Sequence, residues 1–165
     1  MAEKREYRLQ VVLDVRQHKK DEAERYLGEC FIALKKAQDR LVELEQELVR
    51  MQAKRETKRR EFMEKAMKGE TTAQDAVDAN VFIERMKEAE KIHKKTIEGQ
   101  KAVVQQKEND VQTARQEVIV ATQELKAMQK HKEKWLDMLK KEKEVKEDET
   151  LDELAQSIYL DQHKE

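Results

Sequence analysis

The chain has 165 residues, of which 43% are charged, 38% hydrophobic and only 4% aromatic, with three glycines and no proline. So few large apolar groups cannot wrap a thick core around a substrate pocket, and Gly-rich phosphate loops and Pro-rich turns are excluded outright. With 35 basic against 36 acidic residues the formal net charge is −1, so the basic footprint of a nucleic-acid binder is absent. What remains is a disordered polyampholyte or a long helical protein, and the hydrophobic period decides between them.

From residue 8 to about 68 the period is that of a helix with one narrow stripe. Ala23, Leu27, Cys30, Leu34, Ala37, Leu41, Leu44, Leu48 and Met51 alternate at spacings of four and three. That stripe is too thin for a globular core and has the width of a coiled-coil seam. Traced back it reaches Leu13 and Leu9 past Arg16 and Lys20; traced forward it meets Arg55 and Lys58, then Phe62.

A turn is predicted at 69–72. Gly69 is placed to take the left-handed conformation that ends a helix. Thr71 or Thr72 then caps the next helix, with Gln74 or Asp75 three residues on in capping-box spacing. So short a connection makes the two helices antiparallel neighbours.

The second helix, about 73–147, carries its own seam. It runs through Ala76, Ala79, Ile83, Met86, Glu90, His93, Ile97 and Gln100, then Val104, Lys107, Val111, Ala114 and Val118, and on through Ala121, Leu125, Met128, Lys132 and Trp135 to Leu139. Folding at Gly69 sets Phe62 near Ala79, Leu41 near Gln100, Leu27 near Ala114 and Leu13 near Met128, so the two seams face each other throughout. Glu90 falls where it can pair across to Arg55, a polar layer that fixes register at some cost in stability. At 1.5 Å per residue the helices measure about 90 and about 110 Å. The remainder, 148–165, is acidic; Thr150 is a candidate cap for a short terminal helix bearing Leu151, Leu154, Ala155, Ile158 and Tyr159, and a disordered tail is the alternative. The fold class is thus all-α: a long antiparallel two-helix coiled-coil hairpin with a short C-terminal helical or disordered tail, in a single domain.

Chemistry has few footholds. Four histidines are scattered with no HExxH and no close pair, and His18 with Glu22 offers at most two ligands where a metal needs three or four. No nucleotide-binding motif occurs, so no catalytic residue, cofactor or metal is assigned and an enzyme is not expected. The single cysteine, Cys30, reads as a small seam filler and points to a reducing cytoplasm. No apolar run approaches the roughly 18 residues of a membrane span. Two features look like surfaces. Phe82, Met86, Ala89 and His93 form a stripe beside the seam, with Phe82 and Ala89 pointing off it; Trp135 lies at the level of Tyr7 and Leu9, as a staple closing the open end or as an anchor for a partner.

Tyr7 to Arg16 (YRLQVVLDVR), Asp21-Glu22-Ala23-Glu24, the stripe from Phe82-Ile83 to His93, His131-Lys132-Glu133-Lys134-Trp135 and the terminal Leu151-Asp152-Glu153-Leu154-Ala155-Gln156 together resemble the FliJ family of bacterial flagellar export proteins. The YscO-type proteins are its injectisome relatives, and the resemblance covers nearly the whole chain in order. It implies a non-enzymatic stalk of the type III export apparatus, cytoplasmic and peripheral to the inner membrane. The stalk would insert its open end into the export ATPase hexamer, contact a FlhA-like export gate, and take part in handling export chaperones, in flagellar biogenesis or, alternatively, in an injectisome. The implied gate face falls on Leu44, Met51, Phe82, Met86, Ala89 and His93, with Glu47 departing from the bulky aromatic that would suit it. The end assigned to the ATPase carries Leu9, Leu13, Arg16, Trp135 and Leu139. The rival from another class is a passive scaffold that homodimerises through both seams.

Overall fold

The computed structural model describes residues 5–164, and these form two helices, α1 (Gln10–Met67) and α2 (Ala73–Gln162), joined by one tight turn into an antiparallel hairpin. Helix α1 has 58 residues and α2 has 90. Contacts along the chain gather into two units. One spans Arg25–Arg115 and holds the turn; the other holds the described residues on either side, including both chain ends.

The turn is built as the residues demand. Gly69 has φ = +68°, the left-handed region that a Cβ disfavours. Its N–H donates to Ala66 O at 3.1 Å, and the Glu70 N–H reaches back to Lys65 O at 3.2 Å. This is a complete Schellman cap, which satisfies carbonyls that the ending helix leaves without partners. Three residues later α2 begins with a reciprocal box: Asp75 N–H donates to Thr72 Oγ1 at 3.1 Å, and Thr72 N–H donates to Asp75 Oδ2 at 2.9 Å. Of the expected alternatives the chain uses Thr72 and Asp75. Gly69→Ala is expected to cost about 1 kcal/mol, because the strain is in φ and no neighbouring atom crowds the site; thermal unfolding monitored by circular dichroism measures it.

The cap also sets a pH dependence. The Thr72 backbone N–H, and then its hydroxyl, hold the Asp75 carboxyl below the usual carboxylate range. A pKa lower in the folded state means that the stabilisation is fully present above about pH 4 and is lost as the pH falls through the folded value. Asp75→Asn should therefore lower the melting temperature at pH 7, and the gap to wild type should close below about pH 4. A gap that stays constant across that range would show that the carboxylate charge contributes nothing.

In the turn unit the two seams meet as their spacing requires. Cys30, Val111 and the fully buried Ala114 form a core cluster with Leu27 and Leu34 packed on it, so Leu27 and Ala114 come together as folding at Gly69 predicts. Ala37, Leu44 and Ile97 are buried as well. In the other unit Ala121 and Leu125 are buried, and Leu13 and Met128 are half-buried. Every seam position from Leu13 to Phe62 and from Ala79 to Leu139 is buried or half-buried, whereas Ala76, the first residue expected in the second seam, is exposed beside the turn. Pairing within one chain uses the same stripes that a seam-to-seam homodimer would need.

The C-terminal region differs from the expectation of a separate short helix or a disordered tail. Helix α2 continues without a break to Gln162, and Thr150 caps nothing; its hydroxyl donates to Lys146 O at 2.8 Å within the same helix. The physical reason is that no glycine or proline follows Gly99, so nothing stops the propagating helix, while each added residue gains a backbone hydrogen bond. The first helix starts at Gln10, two residues later than its hydrophobic pattern suggests, and no helix is long and apolar enough to cross a membrane among the described residues.

Candidate interaction surfaces

Polar seam residues set the geometry of the turn unit. Glu90, only 5% exposed, accepts a hydrogen bond at 2.8 Å from Arg55 Nε, the cross-helix pair anticipated from the seam. His93 Nε2 donates to Leu44 O at 2.7 Å, and Gln100 Nε2 donates to Ala37 O at 2.9 Å. A helical carbonyl already accepts one N–H but has a second lone pair, so these side chains satisfy themselves on the facing backbone. Donors and acceptors are each seven residues apart, which repeats the same lock in successive heptads. No buried side-chain polar atom lacks a partner among the described residues.

This arrangement sorts the six residues assigned to an export gate. Leu44 is 3% exposed and joined to His93, while Met51, Met86 and His93 are half-buried in the seam. Phe82 and Ala89 face outward as their off-seam positions predict. Phe82 is nevertheless 41% exposed rather than bare, because Phe62 of α1 meets it edge-on with centroids 5.9 Å apart and planes at 89°. The two rings border an open groove of about 680 Å³ beside the turn, lined also by Arg59, Met63, Asp75 and Ala79. Sequence spacing placed Phe62 in the seam but did not reveal that it covers Phe82.

The five residues assigned to an ATPase lie in the other unit. Arg16, a polar interruption of the seam, reaches Glu124 of α2 at 2.6 Å. Leu9 is exposed, and Leu13, Trp135 and Leu139 are half-buried. Trp135 is the staple that its position suggested: the Tyr7 ring lies on it with centroids 5.2 Å apart. Tyr7 itself is 7% exposed, hydrogen-bonded through its hydroxyl to His131 Nδ1, with the Lys132 ammonium over its ring. Lys132 Nζ also donates to Gln10 Oε1 at 2.7 Å, and Arg5 pairs with Glu142 at 3.1 Å. Tyr7 precedes the first helical turn and so falls outside the heptad count, which is why periodicity does not mark it as core.

The charged surface is dominated by pairs three or four residues apart, such as Lys35–Asp39 and Lys87–Glu84. His18 and Glu22 form one of these, at 2.9 Å, and no group of three or more metal-ligating side chains occurs among the described residues. Such exposed pairs contribute about 0–1 kcal/mol each and are screened by salt.

The fold and its surfaces therefore define an antiparallel coiled-coil hairpin whose polar residues serve register and solvation. The YscO-like family model matches residues 4–165, and the chain belongs to this type III secretion family. A comparison with curated proteins gave no match. Among solved structures the chain is similar to CT670 from Chlamydia trachomatis, described as a proposed YscO homolog. The two share 24% identity and a TM-score of 0.82, over 98% of this chain and 99% of that one. At that identity the likeness bears on the fold.

Proposed function

We propose that this chain is a non-enzymatic stalk of a type III secretion apparatus, of the injectisome type, coupling an export ATPase hexamer to a FlhA-like export gate and taking part in export-chaperone handling. The observation that supports this most is the family match over residues 4–165 on a hairpin that uses both of its apolar stripes internally. In this reading the end carrying Leu9, Leu13, Arg16, Trp135 and Leu139 enters the ATPase ring, and hydrolysis belongs to the partner. The gate face is Leu44, Met51, Phe82, Met86, Ala89 and His93; direct contact falls to Phe82 and Ala89, with the buried members shaping the backbone beneath. Work at the membrane is peripheral, through the gate.

Weak contacts suit that role. One hairpin inside a six-fold ring cannot satisfy six equivalent interfaces, and solvated ion pairs allow a contact to be exchanged at little cost. ATP turnover by the cognate ATPase should rise saturably as the chain is titrated in; no change at any concentration would sink the stalk reading. Phe82→Ala should weaken binding of the gate's cytoplasmic domain while leaving helicity and ATPase stimulation unchanged.

A flagellar FliJ-type stalk is the second reading, favoured by the terminal Leu151–Gln156 and N-terminal Leu9–Arg16 signatures. Deleting the gene separates the two: loss of effector secretion with normal motility fits the injectisome, and the converse fits the flagellum.

A further inference from the structure

We propose that the C-terminal part of α2 is a self-association site: two copies of the chain pair their α2 ends antiparallel, each acidic segment lying on the other's lysine-rich segment. The observations come from residues 126–161. Past Leu139 every described side chain is exposed, although the helix runs on to Gln162. Leu151 is 62% exposed, and Leu154, Ile158 and Tyr159 are comparably bare. An isolated helical segment of that length is marginal in water, so an apolar stripe along it calls for a covering surface.

Charge selects the occupant. Residues 126–146 hold eight lysines against four acidic residues, whereas residues 147–161 hold six acidic residues and no lysine or arginine. A parallel pair would lay acid on acid, and an anionic lipid surface would repel the same segment. An antiparallel pair centred near residue 147 instead sets each acidic stretch against lysines, twice by symmetry. The apolar stripe agrees with this placement. Leu136, Lys140, Lys143, Glu147, Leu151, Leu154 and Ile158 follow one another at spacings of three or four and so share one face of the helix. About the two-fold, Ile158 of one copy meets Leu136 of the other, and the Lys140 and Lys143 stems lie over Leu154 and Leu151 with their ammonium groups free to reach carboxylates. Leu136 is itself half exposed. Among the described residues the only ion pair that these lysines make is Lys143–Glu147, at 3.9 Å and exposed. An overlap of this size buries roughly 1,000 Å², the lower limit for a specific interface, so the dimer is weak and responsive to concentration.

The test is sedimentation equilibrium of the full chain from low micromolar to several hundred micromolar, at about 50 and about 500 mM salt. A monomer–dimer equilibrium that weakens at least several-fold at the higher salt is expected. Leu154→Asp with Ile158→Asp should abolish the dimer, and circular dichroism should show the hairpin intact because both side chains are exposed. The decisive arm is a charge swap. Lys140→Glu with Lys143→Glu, and separately Asp152→Lys with Glu153→Lys, should each be monomeric alone, and the two variants mixed should dimerise. A wild-type chain that stays monomeric throughout would overturn the proposal and leave the stripe to another protein with a basic-rimmed groove. A dimer that survives the tail substitutions, or a mixture that fails to pair, would overturn it equally.

Discussion

Arg55→Ala is expected to destabilise the turn unit by about 3 kcal/mol, whereas Arg55→Leu combined with Glu90→Leu leaves it at least as stable as wild type. The asymmetry follows from where the charges sit. The Glu90 side chain is 6% exposed and that of Arg55 is 25% exposed, so removing the guanidinium strands a buried carboxylate, while the arginine can turn toward water if its partner goes. Glu90→Ala should accordingly cost less than Arg55→Ala. Urea unfolding followed by circular dichroism measures all four chains. If Arg55→Ala costs less than about 0.5 kcal/mol, the pair behaves as an ordinary surface ion pair and its burial means nothing. If the double leucine variant is more stable but populates shifted pairings, visible as broadened or doubled NMR resonances, the pair is retained for register rather than for stability.

Tyr7→Ala is the second large effect, about 3 kcal/mol of local stability in the unit that holds both chain ends. It removes a ring that is 7% exposed and lies against Trp135, and it strands the His131 hydrogen bond. The loss should appear as red-shifted Trp135 fluorescence and as faster hydrogen exchange over the first turns of α1, with the turn unit unaffected. Tyr7→Phe keeps the ring packing and loses only the hydroxyl, so it should cost about 1 kcal/mol. Equal effects of the two substitutions would assign the clasp to the hydrogen bond rather than to the ring. In the stalk reading, Tyr7→Ala should also reduce ATPase stimulation, because the start of α1 with Leu9 and Leu13 would lose its clasp to Trp135 of α2.

Much of this architecture is legible in one dimension because a two-helix hairpin has few degrees of freedom. A strict four-three rhythm admits one face per helix, one glycine admits one turn, and the two together determine which residues oppose which. Leu27 against Ala114, the Arg55–Glu90 pair, the Gly69 cap and a capping box after it follow from spacing and residue type alone, while the structure picks Thr72 and Asp75 for that box. Repetition is what makes them readable: each heptad restates the same geometry, so local patterns and tertiary contacts coincide.

Where the repeat stops, only the tertiary structure decides. Tyr7 lies before the helix and belongs to the core through an aromatic contact that no period encodes. Leu44 and His93 are seam positions by spacing, but the bond from the His93 ring to the Leu44 carbonyl on the facing helix is visible only in the structure. Gln100 likewise donates to the carbonyl of Ala37, one turn before Leu41, a bond to the backbone that the repeat does not specify. At the C-terminal end of α2, threonine and a run of acids suggested a fresh start, yet helix propagation needs only the absence of a breaker, and the chain supplies none after Gly99. Composition and period determined that this protein is a coiled-coil hairpin. How far an off-seam side chain such as Phe82 is covered was decided by cross-helix contacts, because burial depends on what the opposite helix presents at that level as well as on the residue's own place in the repeat.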